Sequence, residues 1–127
     1  MEKQIIKTVN APAAIGPYSQ AVKIENLIYT SGQLPINPST GELVNDDVKK
    51  AAEASLNNVK AILEEAGTSL DKVIKTLVFV KDMNDFAAIN EVYSKFFTKN
   101  YPARSCVQVA KLPKDALVEI EAIAIVE

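Results

Sequence analysis

Apolar and polar positions alternate with a period of two along the C-terminal third of the chain, which is how a strand distributes its side chains between two faces. In Leu117–Val126, Val118, Ile120, Ala122, Ala124 and Val126 share one face. Glu119 and Glu121 take the other, with Leu117, Ile123 and Ile125. In the preceding strand, Ser105–Ala110, Val107 and Val109 fall on one face, and Arg104, Cys106 and Gln108 on the opposite one. If both apolar faces look into the core, Arg104 and Glu119 project from the same side of the sheet. Lys111–Ala116, with Pro113 inside it, is the connection. Val73–Lys81 is apolar on both sides, Leu77 and Phe79 against Val78 and Val80, so it reads as a central strand.

Helical spacing appears twice. Val48, Ala52, Leu56, Val59, Ile62, Leu63 and Ala66 form one stripe, capped by Asn45 or Asp46 and ended by Gly67. Phe86, Ile89, Tyr93, Phe96 and Phe97 form a second, from about Asp85 to Thr98 with Asn84 as cap, stopped by Tyr101-Pro102. Upstream, Gln4–Thr8 is a short strand and Asn10–Ser19 a loop marked by Pro12, Gly16 and Pro17. Gln20–Ile24 and Leu27–Gln33 form a hairpin across Glu25-Asn26, with Tyr29, Ser31 and Gln33 on one face. The order β-β-β-α-β-α-β-β predicts an α+β fold, a mixed β-sheet with two helices packed on one face. The other face, with Tyr29, Ser31, Gln33, Arg104, Cys106, Gln108, Leu117, Glu119, Ile123 and Ile125, is too apolar for water and too polar for a private core. Association with further copies is the simplest way to cover it.

Composition narrows the chemistry. A chain of 127 residues is expected to be a single domain, 1–127, burying about two-thirds of its unfolded surface. The absence of histidine excludes His-based triads and His-containing metal sites, and a single cysteine excludes thiolate zinc sites. The glycines, at 16, 32, 41 and 67, form no phosphate-cradling pattern. No metal and no cofactor are therefore expected. A formal charge of −2 makes no electrostatic case for nucleic acid or an anionic membrane. The lone cysteine suits a reducing cytosol, the N-terminus lacks a signal-peptide pattern, and no apolar run approaches a membrane span. A cytoplasmic protein is expected.

Two charged residues stand out beside their ordinary readings. Arg104 is either half of a salt bridge to Glu119 or Glu121, or a planar fork that grips a substrate carboxylate through two hydrogen bonds. Glu119 is either that partner or a carboxyl group available for proton transfer. Cys106, one strand step from Arg104, has no histidine to activate it and reads as a small hydrophobe. Tyr18, Ser31 and Asn90 are of types that are commonly structural, and Gly32 permits close backbone approach.

Pro102-Ala103-Arg104-Ser105-Cys106-Val107, then Lys111, Leu112 and Val118-Glu119-Ile120, resemble the C-terminal signature of the RidA/YjgF family of reactive enamine/imine deaminases. The resemblance extends over Gly16-Pro17-Tyr18-Ser19-Gln20, Tyr29-Thr30-Ser31-Gly32-Gln33, Asn57-Asn58-Val59, Asn84-Asp85-Phe86 and Asn90-Glu91-Val92-Tyr93, and so over nearly the whole chain. It implies a chorismate-mutase-like fold and a homotrimer with sites in the clefts between subunits. It also implies hydrolysis of 2-imino acids or their enamine tautomers, such as 2-aminoacrylate, to 2-keto acids and ammonia, without a cofactor, in a link to isoleucine metabolism. Arg104 would anchor the carboxylate and Glu119 would handle water and the proton. Tyr18, Ser31, Gly32, Asn90 and the backbone of Cys106 would shape the pocket. Two rivals are a 2-keto acid sensor that does not turn over and a ribonuclease or translation inhibitor. The acidic balance and dispersed lysines argue against the ribonuclease.

Overall fold

Val73–Val80 (β4) is apolar toward both sides because it has a strand on each edge and a covered face behind it. The computed structural model describes all residues, 1–127, and places β4 between Ala103–Gln108 (β5), parallel to it, and Val118–Ile125 (β6), antiparallel. The sheet continues through Leu27–Thr30 (β3) and Ala21–Ile24 (β2) to Gln4–Ile6 (β1). Its six strands run in the order β1-β2-β3-β6-β4-β5. The parallel pair β4/β5 requires a crossover, supplied by the helix Phe86–Phe96 (α2). The other helix, Val48–Glu65 (α1), joins β3 to β4. The fold is α+β, a mixed sheet with two helices.

One core unites these elements. Leu56, Val59, Ile62 and Leu63 of α1 and Ile89 and Val92 of α2 pack with Ile28, Val78, Val80, Val118, Ile120, Ala122 and Ala124. Removing one of the larger side chains, as in Leu56→Ala, costs about 2–5 kcal/mol. The opposite face carries Leu27, Tyr29, Leu77, Phe79, Glu119, Glu121, Ile123 and Ile125, all partly or largely exposed.

Element ends correct several expectations. Asp47, not Asn45 or Asp46, caps α1, its carboxylate accepting from the Lys49 amide at 3.0 Å. Asn45 is used across the fold instead, accepting from the Leu117 amide and donating to the Asp115 carbonyl. At the other end Gly67 adopts φ +86°, and the Gly67 and Thr68 amides donate to the carbonyls of Glu64 and Leu63. That left-handed stop is the one its glycine predicts. Asn84 does not cap α2. It lies in a 3₁₀ turn, Met83–Asp85, whose start is capped by Asp82. No helix is long and apolar enough to cross a membrane.

Candidate active site

β5 is inserted the other way round from the expectation. Arg104, Cys106 and Gln108 lie opposite Thr76, Val78 and Val80 of β4, all buried on the helix-covered side. Val107 lies opposite Phe79, which pairs across β4 with Glu119. Arg104 and Glu119 therefore project from opposite faces of the same sheet, and the same-side expectation is wrong. Alternation assigns residues to two faces but does not say which face turns inward. β5 is an edge strand, so Val107 is free to remain 44% exposed.

Arg104 lies against α2. Phe86, Asn90 and Tyr93 follow one another at i, i+4 and i+7, one stripe of the helix. The guanidinium carbon stands 4.8 Å from the centroid of the Tyr93 ring and 5.4 Å from that of Phe86. One terminal nitrogen donates to Asn90 Oδ1 at 2.6 Å. The Tyr93 hydroxyl in turn meets Thr76 Oγ1 at 2.7 Å inside the core. The ion pairs of the chain are Lys49–Glu91, Lys72–Glu127 and Lys81–Asp115. Arg104, the chain's one arginine, has no carboxylate partner, which removes the salt-bridge reading. Cys106 is partly buried against the core, and burial pushes its thiol pKa up, against the smaller opposing effect of Arg104. An activated nucleophile requires the reverse.

Glu119 lines a separate cleft of about 740 Å³, with Tyr18, Ser31, Gly32, Ile15 and Lys114 among its other walls. Gly32 lets the Glu119 side chain lie against the backbone: a Cβ there would come within 2.7 Å of the Glu119 carboxyl carbon and displace that side chain. Burial, and secondarily the charge of Glu121, raise the Glu119 pKa above the ordinary glutamate range. Ser31 Oγ donates to the Ser19 carbonyl at 2.6 Å, so its hydroxyl holds the loop and keeps only acceptor capacity for a ligand. Tyr18 is half exposed at the rim.

The structure thus gathers the predicted residues into two groups, Asn90, Arg104 and Cys106 on one face, Tyr18, Ser31, Gly32 and Glu119 on the other. An irregularity at the cleft changes another expectation. Between the pairs Tyr29–Ile123 and Gln33–Ile120, one strand has three residues and β6 has two. That extra residue is a bulge, so Gln33 pairs with inward Ile120 and is buried, rather than sharing a face with Tyr29.

Residues to which the sequence assigned no site role support the Glu119 cleft. Buried Gln20 receives the Thr8 amide and donates to the carbonyls of Thr8, Ala11 and Pro12, which ties down one wall of the cleft. Asn58 on α1 donates to the Leu34 and Ile36 carbonyls and holds another. Their signal was available, since Asn58 interrupts a buried helical stripe and Gln20 opens a strand facing the core. Lys114 and Asp115, at φ 59° and 56°, form a left-handed pair on the rim. Such backbone costs about 1–3 kcal/mol per residue; the Lys81–Asp115 contact at 3.0 Å and the Asn45 hydrogen bonds fix its position. Nowhere do three or more Cys, Asp or Glu side chains gather in a way that could hold a metal ion.

Known proteins resemble the chain along almost its whole length. Residues 8–126 match the family model described as endoribonuclease L-PSP. The 2-iminobutanoate/2-iminopropanoate deaminase of Escherichia coli K12 is 59% identical over 123 residues, covering 94% of this chain and 95% of that protein. E. coli TdcF, solved with bound serine, superposes with a TM-score of 0.94 at 54% identity, covering 98% of this chain and 99% of that one. The E. coli YjgF gene product gives 0.93 at 57% identity, covering 96% and 98%. With its Arg104 and Glu119 motifs set in that shared fold, the chain belongs to the YjgF/RidA family.

Proposed function

We propose that the protein hydrolyses 2-imino acids and their enamine tautomers to 2-keto acids and ammonia, in a site completed between two copies of the chain. The observation that carries this reading is the unpartnered Arg104, oriented by Asn90 and two aromatic rings, together with a carboxyl group of raised pKa in a separate open cleft. A guanidinium without its own carboxylate is ready for a ligand's. Within one chain the cation and the carboxyl group lie on opposite faces of the sheet. They can serve one substrate only if the Arg104 edge of one copy meets the Glu119 cleft of the next. The apolar outer face around Ile123 and Ile125 supplies a surface for that contact, and a homotrimer closes such a head-to-tail arrangement into three equal sites.

The chemistry follows from those positions. Arg104 holds the substrate carboxylate beside the protonated imine. Water attacks the imine carbon while Glu119 accepts one of its protons. Glu119 then returns that proton to the nitrogen of the tetrahedral intermediate, the C–N bond breaks to release ammonia, and the hydroxyl passes its proton through Glu119 to that ammonia as the carbonyl forms. The products are one keto acid and one ammonium ion. A raised pKa suits both halves of this exchange, because the ideal acid–base catalyst titrates near the working pH. This reading outweighs an endoribonuclease on charge: the chain carries −2 overall, and three of its lysines are already paired with acids.

The test generates imines in situ with an amino-acid oxidase while semicarbazide traps whatever survives. The protein should suppress semicarbazone formation in proportion to its concentration. Binding of 2-ketobutyrate with no suppression would leave a keto acid sensor instead, and cleavage of RNA by nuclease-free preparations would favour the ribonuclease.

A further inference from the structure

We infer that Tyr93 is a positioning residue for the carboxylate clamp, holding the Arg104 guanidinium at a fixed rotation so that its free N–H edge faces outward. The inference rests on the deaminase reading and concerns a residue that touches no substrate. Arg104 has four side-chain torsions, and a guanidinium swinging freely would lose rotamer entropy on every binding event. Three contacts restrict it in advance. Asn90 takes one terminal N–H, and the rings of Tyr93 and Phe86 lie within 4.8 and 5.4 Å of the guanidinium carbon. Only Tyr93 among these is itself immobilised. It is 7% exposed, and its hydroxyl is hydrogen-bonded to Thr76, which is 1% exposed. Thr76 is also the β4 residue directly beside Arg104 in register. The loop of contacts is therefore closed: Arg104 to the Tyr93 ring, Tyr93 hydroxyl to Thr76, Thr76 back to Arg104 across the β4/β5 ladder. A buried phenol costs stability unless its hydroxyl is paired, so this pair also determines where the ring stands.

The chain's single arginine makes the test direct, because one Nε–H resonance reports on Arg104 alone. In the full-length protein, nitrogen relaxation of that resonance should show an ordered side chain before ligand is added. Tyr93→Leu should render it mobile and raise KM, and the Kd for 2-ketobutyrate, by about thirtyfold, the scale of a desolvated cation–π contact, while kcat changes little. Tyr93→Phe keeps the ring but loses its hydrogen bond to Thr76, so its affinity should fall by less than that of Tyr93→Leu. Phe86→Leu alters the exposed wall without touching the core, so it remains informative if Tyr93→Leu fails to fold; it should loosen the resonance and weaken 2-ketobutyrate binding by a smaller factor. A resonance that stays ordered in Tyr93→Leu, or equal losses of kcat and affinity, would overturn the inference. So would a Phe86→Leu protein indistinguishable from the parent when Tyr93→Leu cannot be made. An Arg104→Ala protein that binds 2-ketobutyrate like the parent removes the clamp itself. Damage in Arg104→Ala beside an intact Tyr93→Leu removes only the role assigned to Tyr93.

Discussion

The surroundings of Arg104 and the Glu119 cleft are built by opposite means. Around Arg104 everything is regular: one helical stripe, Phe86, Asn90 and Tyr93, lies over one strand position, and the cation needs no loop to hold it. Around Glu119 almost everything is irregular. A bulge at Ser31-Gly32, a left-handed turn at Lys114-Asp115 and loops pinned by Gln20 and Asn58 make the walls. On the proposed reading, rigid secondary structure suits the group that would recognise an invariant part of the substrate, its carboxylate. Loops suit the side that must fit water and a variable side chain, since their shape is set by a few buried amides that a different sequence could rearrange. In both regions the charged group, Arg104 or Glu119, is left without an ion-pair partner.

The largest effect should come from separating the two regions. Ile123→Asp places a charge in the apolar outer face; sedimentation should show the assembly falling to monomer and deaminase activity lost with it. A monomer that retains activity would mean one chain suffices. Next is Glu119→Gln, which keeps size but cannot exchange a proton, so kcat should fall by about 10²–10⁴ while 2-ketobutyrate binding persists. Its stability should move the other way. A carboxyl group whose folded pKa is raised stabilises the protein below its unfolded pKa and loses that contribution as pH rises through the folded pKa. At neutral pH Glu119→Gln should therefore melt no lower than the parent, and a large drop in Tm would mark Glu119 as structural.

Arg104→Lys should cost at least about ten- to a hundredfold in kcat/KM, almost as much as Arg104→Ala, because an ammonium cannot reproduce a two-pronged contact. Co-assembly of Arg104→Ala and Glu119→Gln chains sharpens this further. If the two regions meet between copies, mixed assemblies contain some interfaces with both native residues and regain activity that neither variant has alone. No recovery in verified mixed assemblies would place both groups of each site in one chain. Cys106→Ala should retain most turnover, since the partly buried thiol is further from ionisation than a free one; a loss beyond about a hundredfold, some ~2.7 kcal/mol, would return it to the chemistry. The smallest change is expected of Glu121→Gln. Removing that neighbouring charge lowers the Glu119 pKa, so the acid limb of the kcat/KM profile should move to lower pH. An unmoved limb would mean that another group titrates there.

Much was legible in advance wherever one local rule acts alone. Two helical stripes, the doubly apolar β4, the Gly67 stop and the order of the elements follow from periodicity and turn chemistry, and all are present, except that Phe86 of the second stripe stays exposed. The roster of candidate residues, with no histidine and a single arginine and cysteine among them, was equally open to reading. Cap residues were less so. Asn45 and Asn84 are good cap types, but Asn45 gains more from bonding Leu117 across the fold, and a 3₁₀ turn moves the helix start past Asn84.

What the chain alone determined is parity: which residues of each strand go together. It did not determine sign. Val107 and Val109 look like a core face because apolar side chains usually turn inward, yet tertiary structure turned Arg104, Cys106 and Gln108 toward the helices instead. The reason is that β5 is an edge strand beside α2, whose aromatic stripe offers a cation a better partner than water, while Val107 joins an outer face already rich in Leu77, Phe79 and Ile123. The single extra residue at Ser31-Gly32 likewise reverses the phase of Gln33, and period-2 reading has no means of detecting an insertion that breaks the period. Local sequence sets alternation; which side faces the core depends on contacts between segments far apart in the chain.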